Sequence, residues 1–232
     1  NPRFCGVASL HHSHPSPVSK QNSNASMPTP ALFYFDLGNV LLHFDHAIAC
    51  QQVGALVGIP AARVREILFD SGVELEYERG SLSDIEFHAA FCSAAGVQCD
   101  RHAFLYAFSA IFQLNSAVVP IVAHLRGSGQ RLGILSNTCA GHWNYCWQRY
   151  RVLRELFDVH ALSYELKSLK PAHATYQLAA QLAGVPADRV FFVDDRAENV
   201  SAANEAGFDA VLFTSAAALA VELRNRSVAF NY

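Results

Sequence analysis

Five short runs of apolar, β-prone residues recur along this 232-residue chain, and three of them end on polar side chains. They are ALFYFD (31–36), RLGILSN (131–137), a run near 159–163, VFFVDD (190–195) and AVLF (210–213). Continuous apolar runs of this length suit strands buried on both faces, the kind found in parallel sheets. Helical patterns separate them. Ser116 is positioned to cap a helix running to Arg126, with Val118, Ile121, Val122 and Leu125 on one face. Pro120 falls in its first turn, where proline is tolerated, and Gly127 ends it. Pro171 suits the first position of a helix stopped by Gly184, and another helix runs from about Ala197 to Gly207. The alternation predicts an α/β fold, a doubly wound parallel sheet with helices on both faces.

Residues 46–114 break that alternation. They read as successive helices punctuated at Gly58-Ile59-Pro60, Gly72, Gly80 and Gly96, without a convincing strand. Ser81 or Ser83 can cap the segment carrying Ile85, Phe87, His88 and Phe91. The expected organisation is a core of residues 27–45 and 115–232 with a small α-helical cap, 46–114, inserted after the first strand. An insertion there overhangs the carboxyl edge of the sheet, where open α/β folds bind ligands, and is placed to act as a lid.

Residues 1–26 differ in character. The first thirty residues hold five of the nine prolines, many serines and no acid, and the only methionine is Met27. Translation starting at Met27 after a disordered tail or expression artefact is the expected arrangement. A transit peptide is the competing reading for a Ser-rich, acid-free stretch, but a single Arg and no apolar face speak against it.

Hydrophobic residues make up 51% and charged residues 16%, which suits a compact, cytoplasmic protein. The net charge is −3 and no basic cluster exists, so nucleic acid is not an expected partner. No apolar run approaches the ~20 residues that span a bilayer, so no membrane partner is expected either. The six cysteines are too sparse for a disulfide scaffold and read as free thiols. Cys92 and Cys99, like Cys139 and Cys146, have the seven-residue spacing of one helix face. Cys139, His142 and Cys146 suggest a metal trio, but no fourth ligand has suitable spacing.

The polar residues that matter fall where strands end. Asp36 ends the first, Ser136-Asn137-Thr138 the second and Asp194-Asp195 the fourth, while Lys170 precedes Pro171. In a parallel sheet these ends share one edge, so the residues converge. Each signal alone has an ordinary explanation, as a helix cap, a solvated lysine or an acid at a helix start. Together they describe phosphoryl chemistry. Three carboxylates near one point repel unless a cation lies between them, and hard oxygen ligands with a dianionic substrate select Mg²⁺. Asn199, four residues after Asp195, is placed to orient a carboxylate or metal-bound water. Ser136 and the N–H groups after it can hold phosphoryl oxygens, and Lys170 adds positive charge as negative charge develops. Asp36 becomes a nucleophile that forms an aspartyl-phosphate.

The pattern resembles the haloacid dehalogenase-like hydrolase superfamily, most of whose members are phosphatases. FYFDLGNVL, ILSNT, LKPA and FFVDDRAEN are similar to its four motifs, in order, over about Ala31–Phe213. Among its branches, the one containing bacterial glucose-1-phosphatase-type enzymes and the phosphatase domain of soluble epoxide hydrolase is the most similar. The resemblance implies Asp36 as nucleophile and Gly38 as a backbone ligand to Mg²⁺. It further implies Asp195, with Asp194, completing the metal site, and Ser136, Asn137 and Lys170 holding phosphate. The implied function is Mg²⁺-dependent hydrolysis of a small phosphorylated metabolite, such as a sugar phosphate. The alternatives are a metal-independent dehalogenase-like hydrolase and a non-catalytic binder of a phospho-ligand or partner protein.

Two departures from the family pattern stand out. Many family phosphatases carry an acid where this chain has Gly38, and general acid–base help is worth ~10²–10⁴-fold. Good leaving groups, such as anomeric or acyl phosphates, or an acid from elsewhere are therefore expected. His142 is the candidate substitute, with packing beside Trp143 as the alternative. His173 stands where an acid usually supports the lysine. Tyr77, Glu78 and Arg79 form a polar cluster in the cap that either faces the substrate or is solvated.

Overall fold

The computed structural model describes residues 1–2, 29–226 and 228. The expectations for Met27, for Cys5 and for the tail from residue 3 onward lie outside the described residues. The chain runs β1 (Leu32–Phe35), β2 (Leu42–Phe44), α1 (His46–Val57), α2 (Ala61–Arg65), a π-turn (Glu66–Asp70), α3 (Val73–Glu78), α4 (Asp84–Ala95) and α5 (Arg101–Ser109). It continues with β3 (Phe112–Leu114), α6 (Val119–Gly127), β4 (Leu132–Ser136), α7 (Ala140–Arg149), α8 (Arg151–Leu156), β5 (Val159–Leu162) and α9 (Ser163–Leu166). The last elements are α10 (His173–Ala183), a 3-10 turn (Ala187–Arg189), β6 (Val190–Asp194), α11 (Ala197–Glu205), β7 (Asp209–Leu212) and α12 (Ala216–Asn225).

Five strands form one parallel sheet in the order β5-β4-β1-β6-β7. This is the doubly wound α/β fold expected, with each strand end within one residue of its sequence-derived place. The pleat explains the layering. Phe33 and Phe35 of β1 join Ile121, Val122 and Leu125 of α6 in one core, whereas Leu32 and Tyr34 join Tyr176, Ala179 and Ala183 of α10 in the other. Each buried Phe, Leu, Ile or Val among them contributes about 1.5–3 kcal/mol by leaving water. The Tyr34 hydroxyl, buried with them, donates to the Ala179 carbonyl at 3.0 Å.

A third core lies within the helices between β2 and β3, where Phe87, Phe91, Phe104 and Phe108 are fully buried. Ser83 caps α4 with a complete capping box. At the base of this layer β2 and β3 pair antiparallel, Leu42 opposite Leu114 and Phe44 opposite Phe112. That ribbon was not expected, because three residues are too few for a period to register. Among the described residues no single helix is long and apolar enough to cross a membrane.

Two helix starts differ from expectation. α6 begins at Val119 without a side-chain cap, three residues after Ser116. The buried Asn115 organises this entry instead, its Nδ2 donating to the Val40 carbonyl at 2.9 Å. Pro171 is not the first residue of α10. It follows a cis peptide bond from Lys170, and the helix starts two residues later.

Candidate active site

Asp36 follows β1, Ser136 closes β4, and Asp194 closes β6 with Asp195 just beyond. Because β4, β1 and β6 are parallel neighbours, all four reach the same carboxyl edge. Lys170 enters from the connection between α9 and α10. Its Nζ lies 2.9 Å from Asp36 Oδ1 and 2.6 Å from Asp194 Oδ2 and donates to the Leu135 carbonyl at 2.9 Å. All three ammonium protons therefore have acceptors, which lets a charge sit at only 1% side-chain exposure. Burial lowers its pKa, but Asp36 and Asp194 outweigh burial and the net shift is upward. Burial pushes the Asp36 carboxyl up to about 7, with Lys170 pulling against that shift and Asp194 and Asp195 adding to it.

Carboxylate oxygens of Asp36, Asp194 and Asp195 lie within 4.8 Å of one another. Their surroundings divide them. Asp194 is fully buried and saturated: Oδ1 accepts from the Arg196 N–H at 2.9 Å, Oδ2 from Lys170, and Asn199 Nδ2 lies 3.0 and 3.1 Å from the two oxygens. Asn199 thus orients the carboxylate of Asp194. The reason is that α11 begins at Ala197 and turns the amide back under the strand end. Asp195 is half-buried and accepts from Asn39 Nδ2 at 3.0 Å.

The remaining donors suit a hard divalent cation. Asn199 lines the cleft, and its Oδ1 is buried and has no hydrogen-bond partner among the described residues. No described backbone N–H donates to the Gly38 carbonyl. With Asp36 and Asp195 these make an all-oxygen set that fits Mg²⁺. Asp194, expected as a ligand, anchors Lys170 and Asn199 and also belongs to the carboxylate group close enough to share a metal ion.

Around the lysine, Asn137 spends its side chain on backbone. Its Nδ2 donates to the Lys170 carbonyl at 2.9 Å and its Oδ1 accepts the Lys170 N–H at 2.8 Å. This closed pair fixes Lys170, so the exposed His173 at the head of α10 is not needed for support. Ser136 Oγ lies 3.2 Å from the Asn137 carbonyl, and Ser136 lines the cleft.

His142 does not fit the general-acid role expected of it. Its ring stacks on Phe108 at 4.4 Å and meets the edge of Phe112 at 5.1 Å, and Nε2 is buried without a partner. Burial, with His46 nearby, lowers its pKa to about 3, so it stays neutral. The room beside Gly38 is also filled: a Cβ there would lie 2.8 Å from Phe44 Cε1.

The cap brings a carboxyl pair of which the sequence pointed to Glu78 but not to Glu74. Glu74 and Glu78, one turn apart on α3, both line the same cleft of about 450 Å³ as Asp36 and Lys170. Burial raises Glu74 to about 7. It also raises Glu78 well above the carboxylate range, with Glu74 and Asp36 adding and Lys170 opposing. For Glu74 the i, i+4 spacing was the only signal, and on a short helix it reads as a solvated face. The Tyr77–Glu78–Arg79 cluster therefore splits three ways. Tyr77 stacks on Phe87 at 4.2 Å and its hydroxyl ties Asp84 to the Gly141 N–H, Glu78 lines the cleft, and Arg79 pairs with Glu76 in solvent at 3.5 Å.

The cysteine expectations also change. The five described cysteines are free, but Cys139 packs in the cap core and Cys146 in the sheet core, so they share no face. Cys139, His142 and Cys146 do not gather into a ligand group among the described residues.

A doubly wound parallel sheet that gathers acids, a hydroxyl and a lysine at one carboxyl edge is an α/β fold of the Rossmann-like class. The chain belongs to the haloacid dehalogenase-like hydrolases, whose family model matches residues 30–207. It is similar to a HAD family enzyme from Bacteroides thetaiotaomicron, solved in complex with magnesium and inorganic phosphate. That likeness has 22% identity and a TM-score of 0.71, over 80% of this chain and 95% of the other. A predicted HAD-like family hydrolase from Porphyromonas gingivalis is 21% identical, with a TM-score of 0.72 over 88% of this chain and 100% of the other. L-2-haloacid dehalogenase from Xanthobacter autotrophicus, with chloropropionic acid covalently bound, is 18% identical, with a TM-score of 0.57 over 87% and 85% of the two chains.

Proposed function

We propose that this protein is a Mg²⁺-dependent phosphohydrolase for a small phosphorylated metabolite, with sugar phosphates the favoured class. The observation that carries the reading is Lys170, clamped between Asp36 and Asp194 beside an all-oxygen donor set with a bare Asn199 oxygen. A cleft of about 450 Å³ is of monosaccharide-phosphate size. Asp36 attacks phosphorus: a bond forms from its carboxylate oxygen as the bond to the leaving oxygen breaks, giving an aspartyl-phosphate that water then hydrolyses. Bound Mg²⁺, held by Asp36, Asp195 and the Gly38 carbonyl, would neutralise the phosphoryl oxygens and orient them. Lys170 and Ser136 offset charge on the transferring group. Glu78, which lines the cleft and whose pKa burial raises, replaces the acid missing at position 38 and delivers a proton to the leaving oxygen.

The test is a phosphate-release screen of phosphorylated metabolites with Mg²⁺ or EDTA. Hydrolysis lost in EDTA and in Asp36→Asn is expected. Glu78→Gln should lose ~10²–10⁴-fold on alkyl phosphates and much less on aryl phosphates. EDTA-insensitive halide release from 2-haloacids would overturn the reading in favour of attack on carbon, and full activity in Asp36→Asn would remove the nucleophile. No turnover in the screen, with phospho-ligand binding retained, would point to a binding protein.

A further inference from the structure

We infer that the cap carries a second metal site, a thiolate–imidazole centre for a thiophilic divalent cation of the Zn²⁺ type, formed by His88, Cys92 and Cys99. His88 and Cys92 lie one turn apart on α4 and so project from one face. Cys99 is not on that helix. α4 ends at Ala95, and Gly96, at φ 67°, reverses the chain in the left-handed region and returns Cys99 to the same face before α5 begins.

The separations match a tetrahedral centre. Cys92 Sγ lies 3.3 Å from His88 Nε2, Cys99 Sγ 3.5 Å from the same nitrogen, and the two sulfurs are 3.9 Å apart. With Zn–S near 2.3 Å and Zn–N near 2.0–2.1 Å, tetrahedral edges are about 3.8 Å for S···S and about 3.5 Å for S···N. A structural disulfide would need its sulfurs at about 2.05 Å. Two sulfurs and one imidazole select Zn²⁺ over Mg²⁺, because Mg²⁺ demands oxygen. The donors are chemically unlike the all-oxygen set at Asp36, and they lie on α4 and the α4–α5 connection, not at the sheet edge.

Access and proton balance are both reasonable. His88 and Cys99 are half-buried and Cys92 is buried, so an ion enters from solvent and leaves a fourth position open to water. Binding breaks two S–H bonds, releases two protons to solvent and forms two metal–thiolate bonds. His88 then carries its proton on Nδ1, giving up the contact of Nε2 with the Cys99 carbonyl at 3.1 Å. The centre would staple the α4–α5 reversal, a connection otherwise held by helix caps.

The experiment uses the whole chain under a non-thiol reductant, titrated with Co²⁺ as a spectroscopic probe and then with Zn²⁺. One equivalent of Co²⁺ should give sulfur-to-metal charge-transfer absorption with tetrahedral d–d bands, bleached by Zn²⁺, and Zn²⁺ should raise Tm. Cys99→Ser, at a half-exposed position where folding is not at risk, should lose the charge-transfer intensity per sulfur removed and most of the Tm gain. His88→Gln should weaken binding while keeping two thiolate transitions. An unchanged spectrum in Cys99→Ser overturns the assignment, as does a wild-type protein without thiolate bands. So does a reduced chain that fails to take up Zn²⁺ while the oxidised chain shows a Cys92–Cys99 disulfide. Phosphatase activity enters none of these readouts.

Discussion

Lys170 Nζ stands 2.9 Å from Asp36 Oδ1 and, on its other side, 2.6 Å from Asp194 Oδ2, so a single buried cation holds two buried anions. Removing the cation leaves both acids uncompensated in a low-dielectric setting. Lys170→Met should abolish turnover and cost about 3–5 kcal/mol of stability at pH 8. Part of that loss should return at pH 5, where Asp36, raised to about 7 by burial, takes up a proton. Urea unfolding at the two pH values checks both statements, and equal losses would contradict the clamp.

Asn137 reaches Lys170 through two backbone hydrogen bonds, at 2.9 and 2.8 Å. Two net hydrogen bonds are worth about 2 kcal/mol, or roughly 30-fold in rate if they act on the transition state. Asn137→Ala should lower kcat by about that factor, while His173→Ala on the exposed start of α10 should leave kcat unchanged. Steady-state kinetics on one substrate decides between them.

Phe44 occupies the space that a side chain at position 38 would need, its ring carbon 2.8 Å from the Cβ position. Gly38→Asp alone should lose about 1–3 kcal/mol through overpacking. Gly38→Asp with Phe44→Leu should recover stability and extend hydrolysis to poor leaving groups. A leaving-group series flat across wild type and double variant would refute the steric account.

Glu74 is raised to about 7 by burial, above the carboxyl value of the unfolded chain. The native state therefore binds the proton more tightly, and stability is highest below about pH 4.5 for this group and falls as pH rises towards 7. Glu74→Gln removes that penalty. Its Tm should match wild type near pH 4.5 and exceed it by about 2–5 °C at pH 8. A constant difference across the range would show that Glu74 ionises normally.

How far the sequence reaches depends on distance along the chain. The strands were legible because each is a local apolar run, and the edge residues were legible because parallel strands must bring their carboxyl ends together. Pro171, Ser116 and the β2–β3 ribbon were not, since a cis bond, an Asn115 clamp and two three-residue strands have no local period.

Asp36, Ser136, Asp194 and Asp195 were bound to share one edge once five buried strands alternated with helices. That outcome is fixed by chain order and right-handed crossover. Which acid holds the lysine, which faces the cleft, and that Phe44 fills the space beside Gly38 were settled by tertiary contact. So were the neutrality of His142 between two phenyl rings and the arrival of Glu74 and Glu78 from the cap. Desolvation and hydrogen-bond partners act through space, and those are the quantities that assign a titratable group its role.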